Sequence, residues 1–333
     1  MTVSREIRLK SRPVGLPTAD NFELVSVTLP DPAPGQVQVR NTWMTVDPYM
    51  RGRMNDVKSY SPPFQLGEAM TGGAIGVVTA SNDPSLQEGD LVENFFGWRE
   101  GFNAPAAMLQ KLDTRGLPPQ AFLGYAGMPG LTAYVGLLRI AEMKDGDVVF
   151  VSGAAGAVGS VACQIAKLKG HKVIGSAGGP RKAEFLREIG VDHVIDYKAE
   201  ANVTAALMRE APEGIDVYFE NVGGAHMEAA LMAAKPFGRF ALCGMISDYN
   251  NTDLGDGVRG MVMIVGKSLT LRGFIVSNHA DMRADYVRDL SEWVAAGKLK
   301  SHETVKEAIE SAPDAFLGLF KGENLGKMLV KLS

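Results

Sequence analysis

Hydrophobic and polar residues alternate in short, interrupted runs over the first third of the chain. Residues 36–40 alternate polar and apolar side chains with a period of two, and they follow a Pro-Ala-Pro-Gly turn at residues 32–35. This pattern is typical of a half-buried strand entered from a loop. Residues 72–78 and 89–92 repeat it between glycines. Strands this short predict an irregular, barrel-like sheet.

The pattern changes after about residue 125, where apolar runs of strand length alternate with amphipathic stretches of helical length. This order is typical of βαβ units and predicts an α/β fold with about six parallel strands in a doubly wound sheet. Helices at 157–169 and 180–189 each end at a glycine. The other predicted elements are strands at 148–152, 171–176, 191–197, 215–220, 239–244 and 269–276 and a helix at 281–296.

The last part of the chain is mixed again. The sequence predicts a helical stretch near residues 305–320 and a final strand at 327–332. Because this tail resembles the first segment, we expect residues 1–125 and 300–333 to form one domain and residues 126–299 a second. The apolar run at 261–265 predicts a buried helix, and a pocket edge or a dimer-facing helix are the alternatives.

Composition narrows the class of protein. The 333 residues carry a net charge of −4, with no run of basic residues, so we expect no nucleic-acid partner. The uncharged stretches 116–138 and 148–166 are broken by glycine, and the first also by proline, so we expect no membrane span. Cys163 and Cys243 are the two cysteines and the N-terminus has no signal-like apolar region, so we expect a cytoplasmic protein.

A glycine-rich segment lies between a predicted buried strand and a predicted helix. Residues 153–159 read GAAGAVG. Small residues here let the backbone approach a pyrophosphate, and the helix N-terminus offers N–H groups to it. The segment predicts a dinucleotide site, against the alternative of a glycine-rich turn that only packs helix on strand.

The end of the next strand indicates which dinucleotide is bound. NAD sites usually place an acid there for the ribose hydroxyls. Here residues 176–179 read SAGG, and Arg181 and Lys182 follow at the start of a helix. The missing acid and the nearby cations favour NADPH over NADH. A solvated helix face is the alternative for both cations.

Several segments spread over nearly the whole chain carry a combined signature. They are VDPYMR at 46–51, GMPGLTAY at 127–134, the glycine segment, FENVGG at 219–224, CGMISDYN at 243–250 and GENLGK at 322–327. In this order they resemble a known family, the zinc-independent medium-chain dehydrogenases/reductases, in the group of prostaglandin reductases, plant alkenal double-bond reductases and bacterial curcumin reductases.

The resemblance implies a GroES-like domain completed by the C-terminal tail, a Rossmann domain, a homodimer, and NADPH-dependent reduction of the carbon–carbon double bond of enones and enals. It implies that Lys182 and Tyr197 hold the 2′-phosphate. The further coenzyme residues that it implies are Met128, Thr132, Ala155, Gly156, Ala157, Val158, Gly159, Gly178, Asn221, Cys243, Gly244, Met245, Ile246, Ser247, Tyr249, Phe274, Ile275, Val276 and Asn324. Three of these residues also have a structural alternative to coenzyme binding: core packing for Tyr197 and Cys243, and capping for Asn221.

Zinc-containing relatives place Cys and His ligands in the N-terminal domain. Where they read Gly-His-Glu, this chain has QLGEAM at 65–70, without an imidazole, and its five histidines have no metal spacing. We therefore expect no metal site and no zinc-assisted alcohol oxidation.

An enone accepts hydride at its β carbon because the negative charge delocalises onto the carbonyl oxygen. The expected catalytic group is Tyr249, since a phenol stays protonated at neutral pH and can donate to that oxygen. It would act directly, through the coenzyme ribose, or only by shaping the pocket. Tyr49, Tyr60 and Trp98 are the expected wall for a small apolar enone or enal, with core packing as the alternative for Tyr60 and Trp98.

Two other functions fit the same segments. An NADPH:quinone reductase would share the fold, the coenzyme and the lack of metal. A non-catalytic protein that binds NADPH would keep the phosphate side of the site without needing the nicotinamide side. Oxidation of NADPH by an added enone distinguishes an enzyme from such a binder.

Overall fold

The computed structural model describes residues 2–253 and 257–332 and divides the chain into two compact units. The first unit comprises the chain up to Leu123, Glu303–Asn324, and Met328 to the C-terminus. The second comprises Gly124–His302 and Leu325–Lys327.

The described strands and α-helices are numbered in chain order. The strands are β1 (Thr2–Leu9), β2 (Phe22–Leu29), β3 (Gln36–Thr45), β4 (Ala74–Ser81), β5 (Leu91–Asn94), β6 (Gly101–Pro105), β7 (Gln110–Lys111), β8 (Val148–Val151), β9 (Lys172–Ala177), β10 (His193–Asp196), β11 (Ile215–Glu220), β12 (Ala234–Leu242), β13 (Thr270–Gly273), β14 (Glu303–Glu307) and β15 (Lys327–Lys331). The helices are α1 (Met50–Arg53), α2 (Met128–Val135), α3 (Gly159–Leu168), α4 (Pro180–Glu188), α5 (Val203–Glu210), α6 (Gly224–Ala233), α7 (Val262–Gly266), α8 (Arg283–Ala295) and α9 (Ala312–Lys321).

The first unit is built on a seven-stranded sheet in the order β14-β15-β3-β4-β5-β7, with β6 also paired to β3, and on the β1–β2 hairpin. The predicted strand at residues 36–40 is confirmed and extends to Thr45, and Val37 and Val39 point into the core as the alternation requires. The predicted helical stretch near 305–320 is wrong in its first part, because Val305 lies in β14. Pairing with the sheet decides the conformation of so short a segment.

The second unit contains the predicted parallel sheet. Its six strands follow the order β10-β9-β8-β11-β12-β13, all parallel. Residues of β8 are buried, as expected for a strand covered on both faces. The chain runs outward from β8 to β10 on one side and from β11 to β13 on the other. The carboxyl ends of β8 and β11 therefore lie side by side at the position where doubly wound sheets bind ligands.

Helix α7 differs from its sequence prediction. The run at 261–265 predicted a buried helix, but α7 has no buried residue, and Val262 and Val265 are 71% and 81% exposed. The buried-helix prediction is wrong because an apolar run this short does not determine whether other elements pack over it.

Candidate active site

The turn after β8 has the tight geometry that its glycines permit. Gly153 adopts a positive φ of 57°, and Ala154 N–H donates to Ser176 O at 2.9 Å, which ties the turn to the end of β9. A Cβ on Gly159 would lie 2.4 Å from Gly153 O. Only glycine lets α3 begin this close to the strand that precedes it.

Helix α3 begins directly at the end of this turn. Its N-cap residue is Val158, which provides no side-chain hydrogen bond to the first turn of the helix. The first N–H groups of a helix have no partner within it, and the helix dipole adds partial positive charge there. The arrangement suits a bound pyrophosphate, with residues 155–159 as its wall.

Glu220, the last residue of β11, joins the turns that follow β8 and β11. Its side chain is fully buried, and its Oε1 atom accepts hydrogen bonds from the Ser152 hydroxyl at 2.7 Å and from Val222 N–H at 2.6 Å. Asn221 donates from its backbone to Ser152 Oγ at 2.8 Å and from its side-chain amide to Ser152 O at 2.7 Å. Asn221 therefore connects the end of β11 to the end of β8. This structural role is similar to the capping role given above as its alternative.

The segment after β12 is held by the same glutamate. Cys243 and Gly244 both donate from the backbone to Glu220 O at 3.1 Å. Burial, with the nearby Glu220 charge, raises the pKa of the Cys243 thiol to about 12, so the thiol stays protonated at neutral pH. Ile246 N–H donates to Asn221 O, and Ser247 donates to Val222 O from its backbone and hydroxyl.

Tyr249 folds back onto this segment. Its hydroxyl accepts a hydrogen bond from Met245 N–H at 3.3 Å, and a Cβ on Gly244 would lie 2.8 Å from the same oxygen. Glycine at 244 therefore makes the close approach of the phenol possible.

At the end of β9, Tyr197, one of the residues expected to hold a 2′-phosphate, lies against Gly178. A Cβ on Gly178 would meet the Tyr197 hydroxyl at 2.7 Å and Lys198 Cε at 2.9 Å. Lys182 is half-buried at the start of α4, and its pKa is lowered by burial and then by the charge of Lys198. Burial and Asp196 raise the pKa of Tyr197, so its phenol stays protonated.

Other predicted coenzyme residues lie elsewhere in the second unit. The Thr132 hydroxyl donates to Met128 O at 2.7 Å within α2, and Met128 is exposed. Phe274 meets Phe219 of β11 edge to face, with ring centroids 6.4 Å apart. Ile275 and Val276 follow it and are half-buried. Phe274 thus lies beside the central strand β11, whereas the Thr132 hydroxyl donates its hydrogen bond to the backbone of its own helix.

The remaining predicted site residues lie in the first unit. Asn324 lies just beyond the C-terminal end of α9. Tyr49 is half-buried beside Arg53, whereas Tyr60 is 63% exposed. Trp98 is fully buried, stacked on Phe22. This placement is the core packing left open for Trp98, and it presents no Trp98 surface to a substrate.

The described part of the chain offers neither a cluster of metal ligands nor a membrane-spanning helix. Within 2–253 and 257–332, no group of three or more His, Cys, Asp or Glu side chains could hold a metal ion. Over the same residues, none of the helices has the length and apolar character needed to cross a bilayer.

Comparison with known proteins places this fold and site in a family. A profile described as the N-terminal domain of oxidoreductase matches residues 5–112, and one described as zinc-binding dehydrogenase matches residues 157–293. Prostaglandin reductase 1 of Bos taurus is 42% identical, and the alignment covers 99% of this chain and 100% of the relative. The chain belongs to the medium-chain dehydrogenase/reductase family. Within the family it falls in the group of prostaglandin, alkenal and curcumin reductases, as its segments predicted.

Two further members of this group match over nearly their full length. The NADP(+)-dependent 2-alkenal reductase of Nicotiana tabacum is 39% identical, and the alignment covers 99% of this chain and 98% of the relative. The crystal structure of CurA from Vibrio vulnificus in complex with NADPH superposes with a TM-score of 0.94 at 41% identity and covers 99% of both chains. The predicted fold class, a doubly wound sheet with a second, β-rich unit, is confirmed.

Three residues of this site had no role predicted from the sequence. Ser152 and Glu220 tie the strand ends together, and Lys198 lies beside Gly178. A carboxylate at the end of the apolar run 215–220 was the available signal for Glu220, because a buried acid needs hydrogen-bond partners. Lys198 follows Tyr197 directly, and its adjacency was the available signal.

Proposed function

We propose that this protein is an NADPH-dependent oxidoreductase that reduces the carbon–carbon double bond of α,β-unsaturated ketones and aldehydes. The observation that carries the proposal is the joining of the glycine turn, Asn221 and the Tyr249 segment through Glu220. These hydrogen bonds connect the glycine turn to the Tyr249 segment at one edge of the sheet, which supports a coenzyme and a phenol donor acting there together. The names of its relatives, a 2-alkenal reductase and prostaglandin reductases, support the same reaction.

The residues at this edge fit NADPH. Gly178 leaves the end of β9 open where a Cβ would strike Tyr197, and β9 ends in Ala177 without a carboxylate. Lys182 and Tyr197 supply a cation and a phenol donor for a 2′-phosphate, and the first turn of α3 supplies N–H groups for the pyrophosphate. CurA was crystallised with NADPH in the same fold.

NADPH, when bound, supplies the hydride. The chain's own part in the reaction is to orient, to donate hydrogen bonds and to exclude water. We assign to Tyr249 the hydrogen bond to the carbonyl oxygen where the enolate charge develops, because a phenol stays protonated at neutral pH and Met245 N–H binds its oxygen. Asn221 and Glu220 keep the underlying turns rigid.

The substrate side draws on Tyr49 and Tyr60 of the first unit. Tyr49 combines an apolar ring with a hydroxyl, and burial raises its pKa above the ordinary value, so it stays a neutral donor. Two aromatic rings with neutral hydroxyls suit a small, largely apolar enone or enal. Trp98 is fully buried in the core cluster against which Tyr49 packs.

We propose further that the protein is a homodimer in the cytoplasm. Strand β13 is the last strand of its sheet, and the apolar side chains of Val262 and Val265 on α7 are exposed. Exposed apolar side chains near a sheet edge are typical of an interface between copies. The free thiols of Cys163 and Cys243 suit a reducing compartment.

The test is the initial rate of NADPH loss with an enone, an enal, a quinone and a saturated ketone, repeated with NADH. Loss with the enone or enal and not with the saturated ketone supports the proposal. Loss with the quinone alone contradicts it and favours a quinone reductase. Tight NADPH binding with no loss in any mixture indicates a non-catalytic binding protein.

A further inference from the structure

Two lysines of the second unit carry like charges that act on each other near the end of β9. Lys182 belongs to the first turn of α4 and Lys198 to the turn after β10. The charge of Lys198 acts on Lys182 strongly enough to lower the pKa of Lys182, after burial, and a Cβ on Gly178 would lie 2.9 Å from Lys198 Cε. Like charges held this close destabilise each other unless an anion lies between them.

Neither lysine has a protein anion as a partner in the described part of the chain. Among the residues that the structure describes, neither ammonium lies within 4.0 Å of a carboxylate oxygen or donates a hydrogen bond to another group. The nearby acid is Asp196, and one of its oxygens accepts the backbone N–H groups of Gly179 at 2.8 Å and Lys198 at 3.1 Å. That carboxylate fixes the two turns that carry Gly178 and Lys198.

The Tyr197 hydroxyl completes the cluster. It approaches Gly178 from the same side as Lys198, since both would contact a single added Cβ. Within the described part of the chain it makes no hydrogen bond to protein. Lys198 and the Tyr197 phenol thus border a space that the absence of a Gly178 side chain keeps open, and Lys182 is near enough for its pKa to be lowered by the Lys198 charge. A phosphate dianion has the charge and the acceptor atoms for this set of donors.

We infer that Lys198 is a second cation for the 2′-phosphate of NADPH and, with Lys182, sets the preference for NADPH over NADH. The inference rests on the proposed NADPH site and adds a specificity-determining residue to it. Lys198 would contact only the phosphate that distinguishes the two coenzymes. Its loss should therefore weaken NADPH binding and leave NADH binding unchanged.

The experiment measures dissociation constants for NADPH, NADH and 2′,5′-ADP by calorimetry on Lys198→Ala, Lys198→Arg and Lys182→Ala. Lys169→Ala is the matched control, because Lys169 is an exposed lysine at the end of α3 and its removal changes the net charge equally. For Lys198→Ala we expect the NADPH and 2′,5′-ADP constants to rise about 10-fold or more, as for loss of a charge-assisted hydrogen bond, with NADH unchanged. Lys198→Arg should bind NADPH within about 3-fold of the parent.

The outcomes separate the inference from the site on which it rests. If Lys198→Ala weakens NADPH and NADH equally, the lysine is structural and the inference fails. If Lys182→Ala loses NADPH preference and Lys198→Ala keeps it, the proposed site stands and Lys198 has no part in it. If both variants keep the preference for NADPH, the 2′-phosphate does not bind at this cluster, and both the Lys198 inference and the proposed 2′-phosphate site fail.

Discussion

The Ser152 hydroxyl donates a hydrogen bond of 2.7 Å to the carboxylate of Glu220; Ser152 directly follows β8 and Glu220 ends β11, the two central strands of the parallel sheet. The same carboxylate oxygen accepts Val222 N–H. Because the glutamate is fully buried, water cannot replace either bond when the acceptor is lost. The geometry of both turns, and of the coenzyme site between them, therefore depends on this one side chain.

Replacement of Glu220 by leucine should reduce the free energy of unfolding by about 3 kcal/mol, since two buried donors lose their acceptor. It should also weaken NADPH binding. Glu220→Gln keeps an acceptor oxygen and should retain most of both properties. Urea unfolding and calorimetry measure the two effects, with Glu213→Leu, an exposed site just before the same strand, as the control. Equal losses in Glu220→Leu and Glu220→Gln would contradict this account.

The sequence predicts the sheet far better than it predicts this junction. Apolar periodicity indicates β8 and β11 separately, because a buried strand carries its signal in its own residues. Ser152 and Glu220 are 68 residues apart, and only the strand order makes them neighbours. Sequence patterns carry little information on strand order, so the partners of Glu220 could not be named.

The errors have the same physical origin. The strand at Val305 and the exposed helix at Val262 depend on what packs against them, which short apolar patterns do not encode. The residue type of Trp98 is equally common in a pocket wall and in a core, so the sequence alone does not decide between them. Its stacking on Phe22 of β2, far away in sequence, decides for the core.

The third glycine of the coenzyme turn should be less tolerant than the second. In Gly159→Ala the new Cβ would lie 2.4 Å from Gly153 O, whereas in Gly156→Ala it would lie 3.2 Å from the same atom. Gly159→Ala should therefore displace α3 and raise the dissociation constants of NADPH and NADH together, by about 10-fold or more, with a smaller change for Gly156→Ala. Gly266→Ala, which meets nothing within 4 Å, is the control. A larger effect at Gly156 would count against the packing argument.

His226 should make stability depend on pH. Burial lowers its pKa from 6.5 to about 4, and its Nε2 atom has no hydrogen-bond partner in the described structure. The folded state thus binds fewer protons than the unfolded state below about pH 6.5. The stability that the neutral imidazole provides is fully present above about pH 6.5, and the free energy of unfolding falls as the pH drops toward 4. Between pH 7.5 and 5 the loss should be about 2 kcal/mol. Urea unfolding of His226→Gln should show a weaker pH dependence, and an identical dependence would refute the assignment.

The exposed face of α7 should hold two copies together. Val262→Glu with Val265→Glu places two like charges where we propose an apolar contact, and the double variant should be monomeric by light scattering. Met208→Glu, at a half-exposed apolar site on α5, is the control and should stay dimeric. A monomeric parent protein, or a double variant that remains dimeric, would remove α7 from the interface.

Tyr249→Phe separates chemistry from pocket shape. The variant keeps the ring and loses the oxygen that accepts Met245 N–H, together with the proton available to a developing enolate. If the phenol donates to the substrate, kcat with a slow substrate, whose reduction limits the rate, should fall about 100-fold while the NADPH dissociation constant stays the same. Tyr197→Phe is the matched control, since a phosphate-side tyrosine should change NADPH affinity and leave kcat intact. Unchanged turnover in Tyr249→Phe would leave the residue only a role in shaping the pocket. A loss of NADPH affinity equal to the loss of kcat would instead indicate that Tyr249 acts through the coenzyme's position.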